Sequence, residues 1–440
     1  MQKPLLKIYY LLVLAFCVAN GSAQDNEILT WLKNNAIAVS SSTGDLVQNK
    51  KLNDLGSFSK CRVFGFGEAT HHGKEFFDMK IAFFKYLVET QGLRIFMLES
   101  DYISGYRINA YIQSGNGDPK KLVGSLGFGI WRTEELVNFV TWLRAFNDGK
   151  AAADQIRFCG IDCQHGGGIN TLVREFISNN TIAVAEGKLA VMDTCTTLAV
   201  GDKKNALLKE NYLETLEFIQ KTIEKKSLPD GAKRDEIVHS IEVLRQCVAF
   251  VTSPSPQQRD KNMAENVLWT VDHTDNRKGF VWAHNLHVAK TANVTPMGYY
   301  LKKELKEAYC SVGFDFGSGQ LYELGADKSG AKIYNLLQPA TTTYASTFYQ
   351  YNPGNYLIDI NTALADKNMR NFLKSNKNML MLGSDGYAAK YADGRKVNIA
   401  EAFDLLIFVR SISPPTYLEN FAEMDVDNEI GISLWANKTK

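Results

Sequence analysis

From residue 61 to residue 162, short apolar runs alternate with longer stretches whose apolar side chains recur every three or four positions. Residues 61–66 form a short apolar run that predicts a strand, and a glycine-containing turn follows. From Lys74, the residues Phe77, Ile81, Phe84 and Val88 keep helical spacing until Gln91-Gly92 stops them, which predicts a helix. Residues 94–98 are the next predicted strand, completing a βαβ unit with parallel strands and a right-handed crossover. Thr133 is placed to cap a helix that has Glu134 and Glu135 in its first turn and Leu136, Val140 and Leu143 on its buried face, a favourable order of cap and charge. Residues 155–161 return as a strand. An earlier helix is expected around residues 27–38.

Between about residues 168 and 275 the strand patterns disappear. Helical patterns at 206–225 and 234–251 dominate there, with Ser253-Pro-Ser-Pro256 as a break, and the segment reads as a helical insertion. Strand patterns resume at 279–283 and 309–314, with a helix around 297–307 between them, and recur at 356–360 and 404–409. The expected class is α/β with a mainly parallel sheet.

Composition narrows the function classes. The chain has 49 Lys+Arg against 48 Asp+Glu and is 45% hydrophobic, which excludes a disordered or repeat composition. Without a basic surplus or a Lys/Arg-rich run, no nucleic-acid partner is expected. At the N-terminus, Lys3 and Lys7 precede an apolar run from Ile8 to Ala19 and the small-residue stretch Asn20-Gly21-Ser22-Ala23. Residues 1–23 therefore read as a secretory signal peptide, too short for a spanning helix. A lipoprotein signal ending at Cys17 is disfavoured by Phe16. Removing the leader would take two lysines and no acid, leaving 47 basic against 48 acidic side chains. The expected product, residues 24–440, is a periplasmic or secreted monomer with no membrane association. Six cysteines would remain, too sparse for a disulfide scaffold, and the Cys159/Cys163 spacing does not suit structural zinc.

The informative residues follow the predicted strands. Glu68 and His71 come after the first, Glu99 and Asp101 after the second, Asp162, Gln164 and His165 after the third, and His284 and His287 after the run ending at Ala283. In an open parallel sheet the carboxyl ends share one edge, where ligands bind. A shared active site explains the coincidence, although any one strand-end acid could equally cap the next helix.

Six blocks of this sequence, in order, resemble the erythromycin esterase family: Gly67-Glu-Ala-Thr-His-His-Gly-Lys-Glu-Phe-Phe77; Met97-Leu-Glu-Ser100; Trp131-Arg-Thr-Glu-Glu135 with Trp142-Leu-Arg144 and Asn147; Gly160-Ile-Asp-Cys-Gln164; Arg259-Asp260 with Met263-Ala-Glu-Asn266; and Trp282-Ala-His-Asn-Leu-His-Val288. The resemblance runs from about residue 60 to 320. It implies a three-layer α/β/α fold with a large helical insertion, and hydrolysis of a carboxylic ester; an erythromycin-type macrolactone, hence macrolide resistance, is one candidate substrate. It also implies His71 as general base, Glu68 and Glu99 as its acidic partners, and Arg259, His284 and His287 as the rest of the reaction centre.

The residue types suit that chemistry. Histidine is the side chain whose ordinary pKa already lies near neutrality. A carboxylate on its other nitrogen would fix the tautomer, and Arg259, His284 or His287 could stabilise an oxyanion. No Gly-x-Ser-x-Gly elbow is present, which speaks against a serine nucleophile. Around this centre, His72, Glu75, Asp101, Trp131, Asp162, Gln164, Asn266 and Asn285 are candidates to line the substrate site. Five have a plainer alternative: His72 as a loop histidine, Glu75 as a helix-terminal charge, Trp131 as packing, Asp162 and Gln164 as loop ties. His165, His239 and His273 have no family counterpart and are read as surface or structural. No cofactor is expected, yet Glu68, His71, Glu99, His284 and His287 are acceptable ligands for Zn²⁺ or Mn²⁺, so a metal-dependent hydrolase is a second reading. A third is a non-catalytic binding protein of the same fold.

Overall fold

The computed structural model describes residues 25–419 apart from 199, 201–202, 228–230, 275–276, 292–294, 325–330 and 383–393. The expected leader, residues 1–23, lies outside the described residues. No helix among the described residues is long and apolar enough to cross a membrane.

Eleven strands are described: β1 (Ile37–Ala38), β2 (Val63–Phe66), β3 (Ile95–Asp101), β4 (Arg157–Asp162), β5 (Gly279–Trp282), β6 (Tyr309–Leu324), β7 (Ala331–Leu336), β8 (Tyr356–Asp359), β9 (Asn378–Met379), β10 (Arg395–Lys396) and β11 (Leu405–Ile412). The main sheet has the order β1-β8-β11-β6-β2-β5-β3-β4, with β7 added to β6 and a separate β9/β10 pair. From β11 to β4 neighbouring strands are parallel, whereas β1, β7 and β8 pair antiparallel. This is the expected three-layer α/β/α fold. The residues of β2, β3 and β5 are all buried, as strands covered on both faces must be, and this is why they read as unbroken apolar runs.

The order matters for function. β2 and β3 are consecutive in the chain but leave a slot between them, which β5 fills some 200 residues later. The four strands followed by acids and imidazoles are thereby consecutive in space, β2-β5-β3-β4.

Several boundaries differ from the sequence expectation. The first helix ends at residue 35, and residues 37–38 pair with Leu357 and Tyr356 as β1; a tertiary partner overrides weak local preference. β3 runs on to Asp101, with a register shift against β4 between Leu98 and Asp101. β6 continues well past Phe314 because β11 and β7 both hydrogen-bond its second half.

The helices that frame the site are α1 (Lys74–Gln91), α2 (Tyr102–Ser114), α3 (Glu134–Asn147), α4 (Ile169–Asn179), α5 (Glu186–Cys195), α6 (Lys203–Glu224), α7 (Gly231–Thr252), α8 (Pro256–Asp272) and the single turn α9 (Asn285–Val288). α1 stops where Gly92 takes φ 66° and returns its N–H to Leu87, a glycine C-cap. Thr133 caps α3 by accepting from Leu136 N. Helices α4 to α7 build a second hydrophobic cluster with Tyr102 and Ile103. Helix α8 instead packs Met263, Ala264, Val267 and Val271 into the main core and leads the chain back to β5.

Helix α2 lies so close to β4 that two glycines meet. A Cβ on Gly105 would come within 2.0 Å of Gly160 N, and one on Gly160 within 2.1 Å of Asp101 O. All the obstructing atoms at Gly160 are backbone, so no side-chain rotation relieves the clash. Gly160→Ala is expected to lower the free energy of unfolding by about 1–3 kcal/mol, measured by urea denaturation; an unchanged midpoint would mean that α2 and the strand ends can separate freely.

Candidate active site

The first turn after β2 passes under α9. Gly67 is required there, because a Cβ would fall 2.1 Å from Asn285 Oδ1. Asn285 itself accepts from Phe314 N and donates to Phe314 O. It was expected to face substrate, but its amide is committed to fastening α9 to β6.

Beyond Gly67, Glu68 is fully buried. His71 Nδ1 donates to Glu68 Oε1 at 2.5 Å, Trp282 Nε1 donates to Glu68 Oε2 at 3.0 Å, and Lys80 Nζ donates to the same oxygen. Burial by itself would raise the Glu68 carboxyl, yet Lys80 and His71 together hold it below the usual range. Lys80 is also fully buried, 4.1 Å above the Trp282 ring, and burial brings its ammonium down to about 8 despite Glu68. Sequence reading missed Lys80. Its signal was a lysine on the helix face carrying Phe76, Phe77, Phe83 and Phe84, all buried.

The second half of the cluster centres on Arg259, in the first turns of α8. Its Nε and Nη2 grip both oxygens of Asp162, at 3.1 and 2.5 Å to Oδ2, and Nη2 also donates to Glu99 Oε1 at 2.7 Å. Burial disfavours the guanidinium charge, but Asp162 and Glu99 more than restore it. Glu99 Oε2 accepts from His284 N at 2.9 Å. Burial would raise the Glu99 carboxyl, and His287 and Arg259 instead hold it well below the usual range.

Two histidines of one helical turn have opposite states. His287 Nδ1 lies 2.7 Å from Asp260 Oδ1 and its Nε2 3.1 Å from Glu99 Oε1. Burial would lower its pKa, but the two carboxylates raise it to about 10. His287 is thus an imidazolium donating at both nitrogens, and the 3.2 Å approach of Arg259 Nη1 to Nε2 is a contact without a hydrogen bond. Asp260, which creates this state, was not among the expected site residues although it adjoins Arg259. His284 is lowered to about 3, by burial first and then by His71 and His287. Its Nε2 donates to Leu382 O and its Nδ1 accepts from Leu286 N. Neither nitrogen is left to donate to an oxyanion, which corrects that expectation, although its ring lies 5.2 Å from that of His71.

His71 differs from both. It is 6% exposed, its ring meets the edge of Trp131 at 5.5 Å, and its Nε2 has no partner among the described residues. Around it, four carboxylates (Glu68, Glu99, Asp162, Asp260) face three cations (Lys80, Arg259, His287).

The remaining expected residues occupy other places. Trp131 is fully buried and donates Nε1–H to Glu99 O, forming a wall under His71. His72 is buried with Nδ1 2.7 Å from Tyr417 Oη, and Glu75 accepts from Ser413 N and Oγ; both tie in the segment after β11. Asn266 exchanges hydrogen bonds with Gln246 and donates to Ile161 O, joining α7 to β4. Asp101 and Gln164 line an adjoining cavity. The proposed Zn²⁺ or Mn²⁺ donors do not suit a dication in this arrangement, since Glu68 and Glu99 are neutralised by Lys80 and Arg259 and both nitrogens of His284 and His287 are committed.

Comparison with known proteins agrees with the fold. The sequence profile of the family described as Erythromycin esterase matches residues 88–412, a span that includes Glu99, Asp162, Arg259, His284 and His287 and begins after Glu68, His71 and Lys80. Erythromycin esterase type II of Escherichia coli is 26% identical over 317 residues, 62% of this chain and 74% of that protein. A crystal structure of a Bacillus cereus protein superposes with a TM-score of 0.75 at 22% identity, covering 90% of this chain and 99% of that one. The erythromycin esterase EreC, as a mutant in its open conformation, superposes with a TM-score of 0.60 at 16% identity, covering 84% and 96%.

These two histidines make opposite contributions to the pH dependence of stability. His284 is lower in the folded chain than the ordinary value of about 6.5, so its contribution is present above that value and falls away as the pH drops towards about 3. His287 is higher, so its contribution is complete below about 6.5 and is lost as the pH rises through about 10. Urea unfolding free energies are expected to fall from pH 7 to 10, and to fall less in His287→Gln; parallel pH profiles in the two proteins would rule out the imidazolium.

Proposed function

This chain belongs to the erythromycin esterase family and is a hydrolase, and from that premise we propose that it cleaves a carboxylic ester by activating water at His71. The observation that carries the reading is the Glu68–His71 pair, with Nδ1 held at 2.5 Å and Nε2 unpartnered. Glu68 fixes the tautomer that leaves Nε2 basic and stabilises the imidazolium that forms. Water attacks the ester carbonyl as His71 Nε2 takes its proton. The proton then passes to the alcohol oxygen as the C–O bond breaks, leaving an alcohol and a carboxylic acid that loses its proton to solvent. Arg259 and His287 are fixed positive charges that would stabilise the developing oxyanion, with Arg259 Nη1 the guanidinium nitrogen not bound to a carboxylate.

An erythromycin-type macrolactone is the candidate substrate suggested by the E. coli relative. Mass spectrometry of macrolides, simple lactones and aryl esters incubated with the protein is expected to show the gain of one water in at least one class; no gain in any class would sink the ester assignment.

His71→Ala is expected to reduce kcat/KM by roughly 10²–10⁴ with near-UV circular dichroism unchanged; full turnover in that variant would remove the base from His71. Lys80→Met leaves the Glu68 charge to His71 alone, so the acid limb of the kcat/KM profile should move to higher pH. An unmoved limb would separate Lys80 from the catalytic protonation.

A further inference from the structure

Beside the His71 cluster lies a cavity of about 310 Å³ that the proposed reaction does not use. It opens one step farther along the same strand ends. Asp101 is two residues past Glu99, and Gln164 is two residues past Asp162. One wall is the loop His165-Gly166-Gly167, which leads through Gly168 into α4.

A guanidinium lines this cavity with no carboxylate paired to it among the described residues. Arg107 lines the cavity, is exposed, and makes no hydrogen bond or ion pair among the described residues. Its guanidinium lies against Gly168, where a Cβ would meet Nη2 at 2.9 Å. Gly168 is the N-cap of α4, in the left-handed region at φ 86°, and supplies no side-chain acceptor to the first turn. A cation held at the positive end of a helix is a repulsive arrangement unless an anion sits between them. Asp101 is the carboxylate on the wall, but its oxygens accept from Ser104 N at 2.9 Å and Gly127 N at 3.0 Å, which sets its charge against the start of α2.

A second observation is independent of the helix. Gln164 is 4% exposed and its Nε2 has no acceptor among the described residues. His165 Nε2, beside it, is likewise buried and unpartnered. Buried amide donors in folded proteins nearly always find an acceptor, and leaving one without is unfavourable. A ligand oxygen would supply what the chain does not.

We propose that this cavity is a recognition subsite for an oxyanion group of the substrate, a carboxylate or a phosphate, beside the catalytic cluster, with Arg107 and Gln164 as donors. The word substrate rests on the hydrolase reading above; anion binding itself does not. The subsite would select acidic esters over neutral ones of equal length.

The test has a binding arm and a turnover arm. Inorganic phosphate and acetate are titrated calorimetrically into the full chain and into Arg107→Gln, an exposed position whose replacement does not threaten the fold, with Gln164→Leu as a second variant. Saturable binding of at least one anion is expected, weakened on the order of tenfold to a hundredfold in Arg107→Gln, and the comparison of the two anions identifies the source. For turnover, mono-p-nitrophenyl adipate is expected to exceed p-nitrophenyl hexanoate in kcat/KM, by a ratio that Arg107→Gln narrows. Absent binding, equal binding by the variants, or an unchanged ratio would overturn the subsite. Intact anion binding with neither ester hydrolysed would count against the His71 reading and leave the subsite standing.

Discussion

A guanidinium cannot be buried beneath the end of a sheet unless carboxylates meet it there, and Arg259 imposes that constraint on the whole catalytic edge. Its three bonds to Asp162 and one to Glu99 tie α8 to the ends of β4 and β3. Glu99 in turn holds the backbone of His284 and the ring of His287 after β5. Removing one partner from such a network leaves a buried charge uncompensated, at a cost of about 3–5 kcal/mol. The geometry of three strand ends is therefore coupled, and a helix arriving after a long helical excursion closes the arrangement.

The same electrostatics divide three histidines into three states. His287, between Asp260 and Glu99, is held as a cation. His284, buried against backbone groups and beside two other imidazoles, is held neutral. His71 alone keeps one nitrogen unpartnered, with Glu68 on the other and Lys80 balancing Glu68 from behind. Residue type could not separate these three, because each is a histidine after a strand; the difference lies in which neighbours reach each ring nitrogen.

A candidate hydrolytic centre and an adjoining cavity share the same strand ends. Residues 99 and 162 point their carboxylates into the network, while residues 101 and 164 belong to the next space along. The register shift between Leu98 and Asp101 occurs where β3 passes from one to the other. A bulge at a sheet edge beside a site commonly re-aims side chains in this way.

Much of the fold was legible in the chain. Apolar periodicity located β2, α1, β3, α3 and β4 to within a few residues, and the acids and imidazoles at the strand ends marked one edge of a parallel sheet, because period and burial are local properties of sequence. Boundaries that depended on a distant partner were not legible: β1 forms only against β8, and the long β6 only against β11 and β7. Lys80 and Asp260 were hidden for the same reason, one looking like a break in an apolar face and the other like a neighbour of Arg259, until folding placed each against a charge far away in sequence. Asn285, Asn266, His72 and Glu75 looked like site residues and are instead fasteners, since an amide, imidazole or carboxylate acts on whatever lies within about 3 Å of it. The sequence alone determined the layers, the direction of the strands and the edge where chemistry gathers. Only the tertiary structure decided which of the gathered groups are charged, which are already bonded and which one is left to react, because those properties belong to pairs of residues brought together by the sheet order.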